Sequence, residues 1–268
     1  MRCLALLAVV SLSAASPDAR DIVRRSALLS DQNDQRARMY TFVERGEQRE
    51  PDGTVKVKTW DVTMLEGSPY RRLIQINDKP LPPAAEKKEQ DALRKSIEDR
   101  RKESPSARQK RIAEYEKRRA RFRDLTKEVA DAFDWTIAGE ERIAGRPAWV
   151  LEGTPRPGYR AKSREAKVFE HFRGKLWIDQ TGANWVRIEA DAIDTVSFGL
   201  FLFRLTPGAH ISIEMTRVND EVWLPKRIAF RGSGRIAGLK KISVDATTTY
   251  SGFRRFSTES RIVEAGSK

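Results

Sequence analysis

The chain has 268 residues, of which 39% are hydrophobic and 33% charged, enough to bury a sizeable core while carrying strongly solvated segments. Its formal net charge of +13 favours anionic partners such as lipid headgroups, acidic glycans or nucleic acid. The one cysteine and two histidines exclude a disulfide framework and leave too few ligands for a zinc site.

The opening "MRCLALLAVVSLSAAS" has one arginine, an apolar run from Cys3 to Leu12, and small residues at Ser13-Ala14-Ala15. This pattern predicts a secretory leader cleaved after Ala15. The run falls well short of the roughly 20 apolar residues needed to span a bilayer. Cleavage would remove Cys3, so the mature chain would hold no thiol. Residues 16–268 then form a single exported domain of the periplasm or envelope, soluble after cleavage. Export sets nucleic acid aside as a partner, although "YRRL" and "FRRF" pair arginine with aromatic residues.

Residues 18–38 carry Ile22, Ala27, Leu28 and Leu29 at spacings that predict an amphipathic helix. "MYTFVERGEQRE" and "GTVKVKTWDVTMLEG" flank Pro51-Asp52-Gly53 as a hairpin, and "SPYRRLIQIND" is a third strand. The pattern then changes. Residues 84–128 contain 16 Lys or Arg and 10 Asp or Glu, no Gly, and almost no β-branched residues. That predicts a charged helical insertion, broken into two helices at Ser104-Pro105, an N-cap and first-turn pair. In the second helix Ile112, Tyr115, Phe122, Leu125 and Val129 fall near one face. Arg100, Arg101, Arg118, Arg119 and Arg121 are the insertion's candidate surface for an anionic membrane or an envelope protein. A solvated helix pair laced with i,i+4 ion pairs is the plainer alternative.

Strands resume after the insertion. "FDWTIAGEE" and "RPAWVLEGTP" flank "RIAG"; "GKLWID" and "NWVRIEADAID" flank Gln180-Thr181-Gly182-Ala183; "GAHISIEMTRV" and "EVWLPKRIAF" flank Asn219-Asp220. "KISVDATTTYSGF" closes the series. Val186, Ile188, Ala190 and Ala192 share one predicted face, as do Ile211, Ile213 and Met215. Residues 158–173 read as a helix inserted across the sheet, with Val168, Phe169 and Phe172 as its apolar contacts. Altogether the fold class is mainly β: about ten strands in a curled antiparallel sheet or incomplete barrel, with helical additions.

"VSFGLFLFRL", residues 196–205, is the most apolar stretch beyond the leader. As one strand it would present Phe198, Leu200 and Leu202 on one face and Phe201, Phe203 and Leu205 on the other. A second apolar face needs a cover: a helix, a lipid or a membrane.

Catalytic chemistry is thinly represented. His171 and His210 have no partner motif, so neither a catalytic residue nor a metal ligand is assigned. Glu189 and Asp191 are spaced for a carboxylate pair, but the alternation makes them a polar outer face. "GSGRIA", 232–237, matches G-x-G-x-x-A, yet strand sequence follows where a dinucleotide site needs a helix, so no cofactor is expected.

Four segments carry a family resemblance: "YTFVER", "GRPAWVLEGTP", "LWIDQTGANWVRIEA" and "NDEVWLPKRIAF". In their order they resemble the bacterial outer-membrane lipoprotein-sorting proteins, the fold group of the LolA and LolB carriers and the RseB-type sensors. The resemblance spans the mature chain except 84–128. It implies an incomplete antiparallel barrel around a hydrophobic cavity that takes up acyl chains, with helix 18–38 and the insert near 160–173 as lids. The expected function is non-enzymatic binding or carriage of a lipid, acyl chain or lipoprotein, with Phe198, Leu200, Phe201, Leu202, Phe203, Ile211, Ile213 and Met215 as candidate ligand contacts. The alternative is an envelope sensor or interaction module that docks through the basic insertion.

Overall fold

The computed structural model describes residues 17–198, 203–236 and 240–256. The expected leader, 1–15, lies outside them, as do Leu200, Phe201 and Leu202. Helix α1 (Ala19–Ala37) opens on Asp18, whose side chain accepts the Asp21 N–H at 3.0 Å as an N-cap. Strands β1 (Tyr40–Arg49), β2 (Val55–Leu65), β3 (Ser68–Ile76) and the two-residue β4 (Lys79–Pro80) follow as a meander. Glu66-Gly67 and Asn77-Asp78 both have positive φ at their two central positions, the backbone of tight hairpin turns.

The insertion forms two helices, α2 (Pro83–Arg101) and α3 (Pro105–Ala132). Their break falls at Ser104, whose hydroxyl accepts the Ala107 N–H at 3.2 Å. The second meander comprises β5 (Phe133–Ile143), β6 (Arg146–Pro155), β7 (Phe172–Asp179), β8 (Trp185–Ala192), β11 (His210–Val218), β12 (Val222–Ile236) and β13 (Lys240–Arg255). Between β8 and β11 lie the short strands β9 (Val196–Phe198) and β10 (Phe203–Leu205). β13 pairs antiparallel with β1, which joins the two meanders into one 13-stranded antiparallel sheet with β4 and β5 at its edges. The sheet is curled but not closed, and the insertion is the crossover between its two edges. Gly232 to Ile236 lies within β12 and continues toward β13, so the glycine motif opens no helix.

Two local expectations are corrected. Residues 196–205 are not one strand: Phe203 pairs with Phe198, Arg204 with Ser197 and Leu205 with Val196, making an antiparallel hairpin. Val196 and Leu205 at its base are both 3% exposed and pack with Ala192, Ala209 and Phe172. The alternation assumed across that stretch fails because its two ends are separate strands that pair with each other. The helix expected over 158–173 shrinks to a 3-10 helix, Glu165–His171. Gly158 is left-handed (φ 76°), and the Lys162 N–H is held at 2.6 Å by the Glu128 carboxylate, so the segment before it is pinned as a loop.

α2 lies against β3, beyond the stretch that the two-residue β4 covers. Its Glu89 accepts the Leu73 N–H at 3.3 Å, Glu86 pairs with Arg72 at 2.9 Å, and Arg100 donates to the carbonyls of Leu65 and Ser68 at 2.7 and 3.0 Å. A helix laid along the strand hinders pairing with another chain there. α3 is fastened at three places. At its start Ile112 lies against Gly67, where an added Cβ would sit 2.8 Å from the Ile112 methyl, and Arg111 reaches the Ser68 hydroxyl at 2.7 Å. Along its middle Arg123 and Lys127 pair with Asp34 and Asp31 of α1 at 3.2 and 2.7 Å. At its end Val129, Ala130 and Ala132 enter a core with Ile22, Val23, Leu151, Leu176 and Ile178.

Candidate functional site: an apolar cavity beneath α3

Between its fastenings α3 bridges the sheet, and a cavity of about 350 Å³ lies underneath. Phe122, Leu125 and Val129 of α3 form its roof, Val168 and Phe169 of the 3-10 helix one wall, and Leu176, Trp185, Ile188, Ile211 and Ile213 its floor. Trp135 lies flat on Gly153, where an added Cβ would come within 2.6 Å of the indole. Its Nε1–H donates to the Val129 carbonyl at 3.3 Å. A second cavity of about 220 Å³ extends toward α1, lined by Met215, Trp223, Leu224 and Ser30, and sharing Phe122, Trp185, Ile188 and Ile213 with the first. Apart from Thr126, Arg173 and Glu189, the larger cavity presents carbon. Such walls offer a water few partners and an alkyl chain many contacts.

The walls are positioned by buried polar contacts. Ser26 of α1, 1% exposed, accepts the Trp185 indole N–H at 2.5 Å and donates to the Val23 carbonyl at 2.8 Å. Glu128 of α3, 5% exposed, accepts the Tyr159 hydroxyl and the Lys162 N–H, which ties the loop before the 3-10 helix to α3. Burial first, and then the Glu128 carboxylate, hold the Tyr159 hydroxyl well above the usual phenol range, so it stays a donor.

Of the residues singled out from sequence, Ile211 and Ile213 lie in the larger cavity, and Ile213 and Met215 in the smaller. Phe198 and Phe203 are backbone partners near the end of the β9–β10 hairpin. Val186 departs from its predicted face: an irregularity in the β7–β8 register at Ile178 leaves it packed with Ala148, Val150 and Trp177, while Ile188 and Ala190 reach the cavity. Trp135 is a site residue that the strand pattern does not single out, although the predicted hairpin places it opposite Gly153, its register partner on β6.

The arginines of the insertion divide. Arg100 is turned into the fold by the carbonyls of the β2–β3 turn, and Arg119 by Asp34 and the Tyr115 hydroxyl (2.8 Å), so neither is an open surface charge. Arg101 stands 4.0 Å from Glu66, while Arg118 and Arg121 are exposed. The aromatic-basic pairs are exposed but partnered within the chain: Arg71 stacks on Trp60 at 4.3 Å and pairs with Glu44 at 2.7 Å, and Arg255 meets Glu221 at 3.2 Å.

Glu189 and Asp191 are neutralised by neighbours. Arg187 sits 2.5 Å from Glu189; His210 and Arg173 sit 2.8 and 3.4 Å from Asp191. The His210 hydrogen bond, with burial working the other way, leaves the Asp191 carboxyl below its ordinary value. His171 approaches Asp194 at 3.7 Å. Among the described residues no group of three or more His, Cys, Asp or Glu could hold a metal, and no helix is long and apolar enough to cross a membrane.

No protein-family model matches the sequence, and no curated protein matches it. Solved structures do resemble the fold. One is described as an outer membrane lipoprotein-sorting protein domain from Vibrio parahaemolyticus (10% identity, TM-score 0.37, covering 90% of this chain and 95% of that one). Another is a LolA superfamily protein from Nitrosomonas europaea (10% identity, TM-score 0.35, 90% and 95%). A third is the MucA/MucB complex of Pseudomonas aeruginosa (14% identity, TM-score 0.23, 90% and 100%).

Proposed function

We propose that the protein binds the acyl chain of a lipid or lipoprotein in the cavity beneath α3, as a non-enzymatic carrier or receptor of the bacterial envelope. One observation carries the reading: the cavity's walls are almost wholly carbon, and its roof residue Phe122 is 64% exposed at the opening. Its volume lies at the lower end of the roughly 300–1,000 Å³ of small-molecule sites. Each methylene buried there contributes about 0.8 kcal/mol, so ten contribute about 8 kcal/mol before the cost of immobilising the chain. The basic insertion is then part of the site, since the inner face of α3 supplies its roof.

Native mass spectrometry of protein purified from a bacterial envelope, with a fluorescent fatty acid titrated in parallel, tests the reading. Ile213→Trp fills space shared by both cavities and displaces roughly three methylenes, which weakens fatty-acid binding by about 2.4 kcal/mol, on the order of fiftyfold. Absence of any co-purifying lipid, together with unchanged fatty-acid affinity in Ile213→Trp, would sink the proposal.

A further inference from the structure

The basic residues of α3 fall into two sets. Those turned toward the fold are neutralised: Arg111 by Glu103 at 2.7 Å, Arg119 by Asp34, Arg123 by Asp34 at 3.2 Å, Lys127 by Asp31 at 2.7 Å. Lys117, Arg118 and Arg121 are exposed, and among the described residues no carboxylate approaches any of them within 4.0 Å. They are also close together. Lys117 and Arg121 are one turn apart on the helix, and Arg118 stands one turn before Phe122. Lys110 extends the same unpaired set toward the N-terminus, against which the exposed carboxylates of α3 are Glu114 and Asp124. Phe122 is 64% exposed and lines both cavities, so an apolar ring at the opening stands beside a net positive charge that Glu114 and Asp124 offset only in part.

We propose that this solvent side of α3 docks on an anionic lipid bilayer, with Lys117, Arg118 and Arg121 at the headgroups and Phe122 at the acyl boundary. The orientation sets the cavity mouth against the membrane; that consequence rests on the acyl-binding reading, whereas the docking itself does not. Charge complementarity selects the partner: an anionic surface attracts each nearby Lys or Arg by about fivefold in partitioning, and the attraction decays within a Debye length. An acidic protein surface would satisfy the three cations, but it gives Phe122 no apolar layer to enter. A bilayer supplies both.

Flotation of the purified protein with vesicles tests the proposal. Vesicles of phosphatidylglycerol and phosphatidylethanolamine should carry the protein up, vesicles of phosphatidylcholine should not, and raising the salt should release it. The triple variant Lys117→Gln, Arg118→Gln, Arg121→Gln should partition on the order of a hundredfold more weakly while binding a fluorescent fatty acid in solution as the wild type does. Phe122→Ser should weaken partitioning about tenfold. A control with the same loss of charge on α2, Lys87→Gln, Lys88→Gln, Lys95→Gln, should stay within about threefold of the wild type. Equal binding to neutral vesicles, an unaffected triple variant, or an equally affected α2 control each overturns the docking face. The two readings fail separately: fatty-acid binding without flotation refutes the docking alone, and flotation without fatty-acid binding refutes the cavity alone.

Discussion

Gly153→Ala isolates the cavity floor. The new Cβ would stand 2.6, 2.8 and 2.9 Å from three carbons of the Trp135 ring, whereas carbon atoms rest at about 3.5–4.0 Å. The indole must therefore retreat by about 1 Å, into the space the cavity occupies. Overpacking of this kind costs about 1–3 kcal/mol, and the Nε1–H bond to Val129, at 3.3 Å, is stretched with it, adding about 1 kcal/mol. Removing a glycine from a strand recovers about 0.5–1 kcal/mol. The net loss is about 2 kcal/mol, read as the urea midpoint followed by far-ultraviolet circular dichroism. A double-mutant cycle gives the decisive comparison. With Trp135→Leu already in place, the alanine meets a smaller, flexible neighbour and should be neutral or mildly stabilising, a coupling of about 2 kcal/mol. Fatty-acid binding should weaken in the single variant, because the displaced ring occupies the site. Equal costs of Gly153→Ala with and without the indole would refute the account of the floor.

Two further perturbations probe the walls. Ser26→Ala leaves the Trp185 indole N–H buried without an acceptor and should cost about 1–3 kcal/mol in urea unfolding, whereas a change below about 0.5 kcal/mol would mean that the 2.5 Å contact contributes little. On the sheet between β1 and β12, burial first and then the Glu44 carboxylate push the Tyr250 hydroxyl up to about 12. The fold thus favours the neutral phenol. That stabilisation is complete below the unfolded value near 10 and is lost as pH rises from there through about 12. Tyr250→Phe should accordingly flatten the fall in urea midpoint between pH 9.5 and 11.5, and an unchanged slope would contradict the assignment.

Much of this fold is legible because its punctuation is local. Asn219-Asp220, Gly53 and the Ser104-Pro105 cap declare turns and a helix start through backbone preferences that need no tertiary context. The inner face of α3 could be recognised from the spacing of Phe122, Leu125 and Val129. What those residues roof could not, since the cavity's wall and floor come from Val168, Trp185 and Ile211, in segments far away in the chain. The pairing of β1 with β13 is equally long-range, and nothing in either strand announces the other. The hairpin at 196–205 was hidden for a different reason. Between β9 and β10 the sequence reads Gly-Leu-Phe-Leu, without the polar residues that mark a reversal. Charge alone could not separate Arg119 from Arg118, one of which meets Asp34 of α1 while the other faces solvent.

The cavity itself argues for an occupant. Packed interiors leave few voids larger than a water, and a dry void left by truncation costs about 24 cal/mol per Å³. At about 350 Å³ that scale gives about 8 kcal/mol, as large as the whole stability of many domains. The opening at Phe122 relieves part of that cost by admitting solvent, yet the walls offer that solvent little to bond. A sequence shaped only for stability would fill the space, and Ala190 on the floor shows where it could. Ala190→Leu should therefore raise stability by about 0.5–2 kcal/mol while weakening fatty-acid binding, the opposition expected where a site is kept open for a ligand. Thermal unfolding and a fatty-acid titration on the same sample would measure both. Should Ala190→Leu destabilise the protein instead, the floor is already close-packed at that position, and the space beneath α3 is smaller than an acyl chain requires.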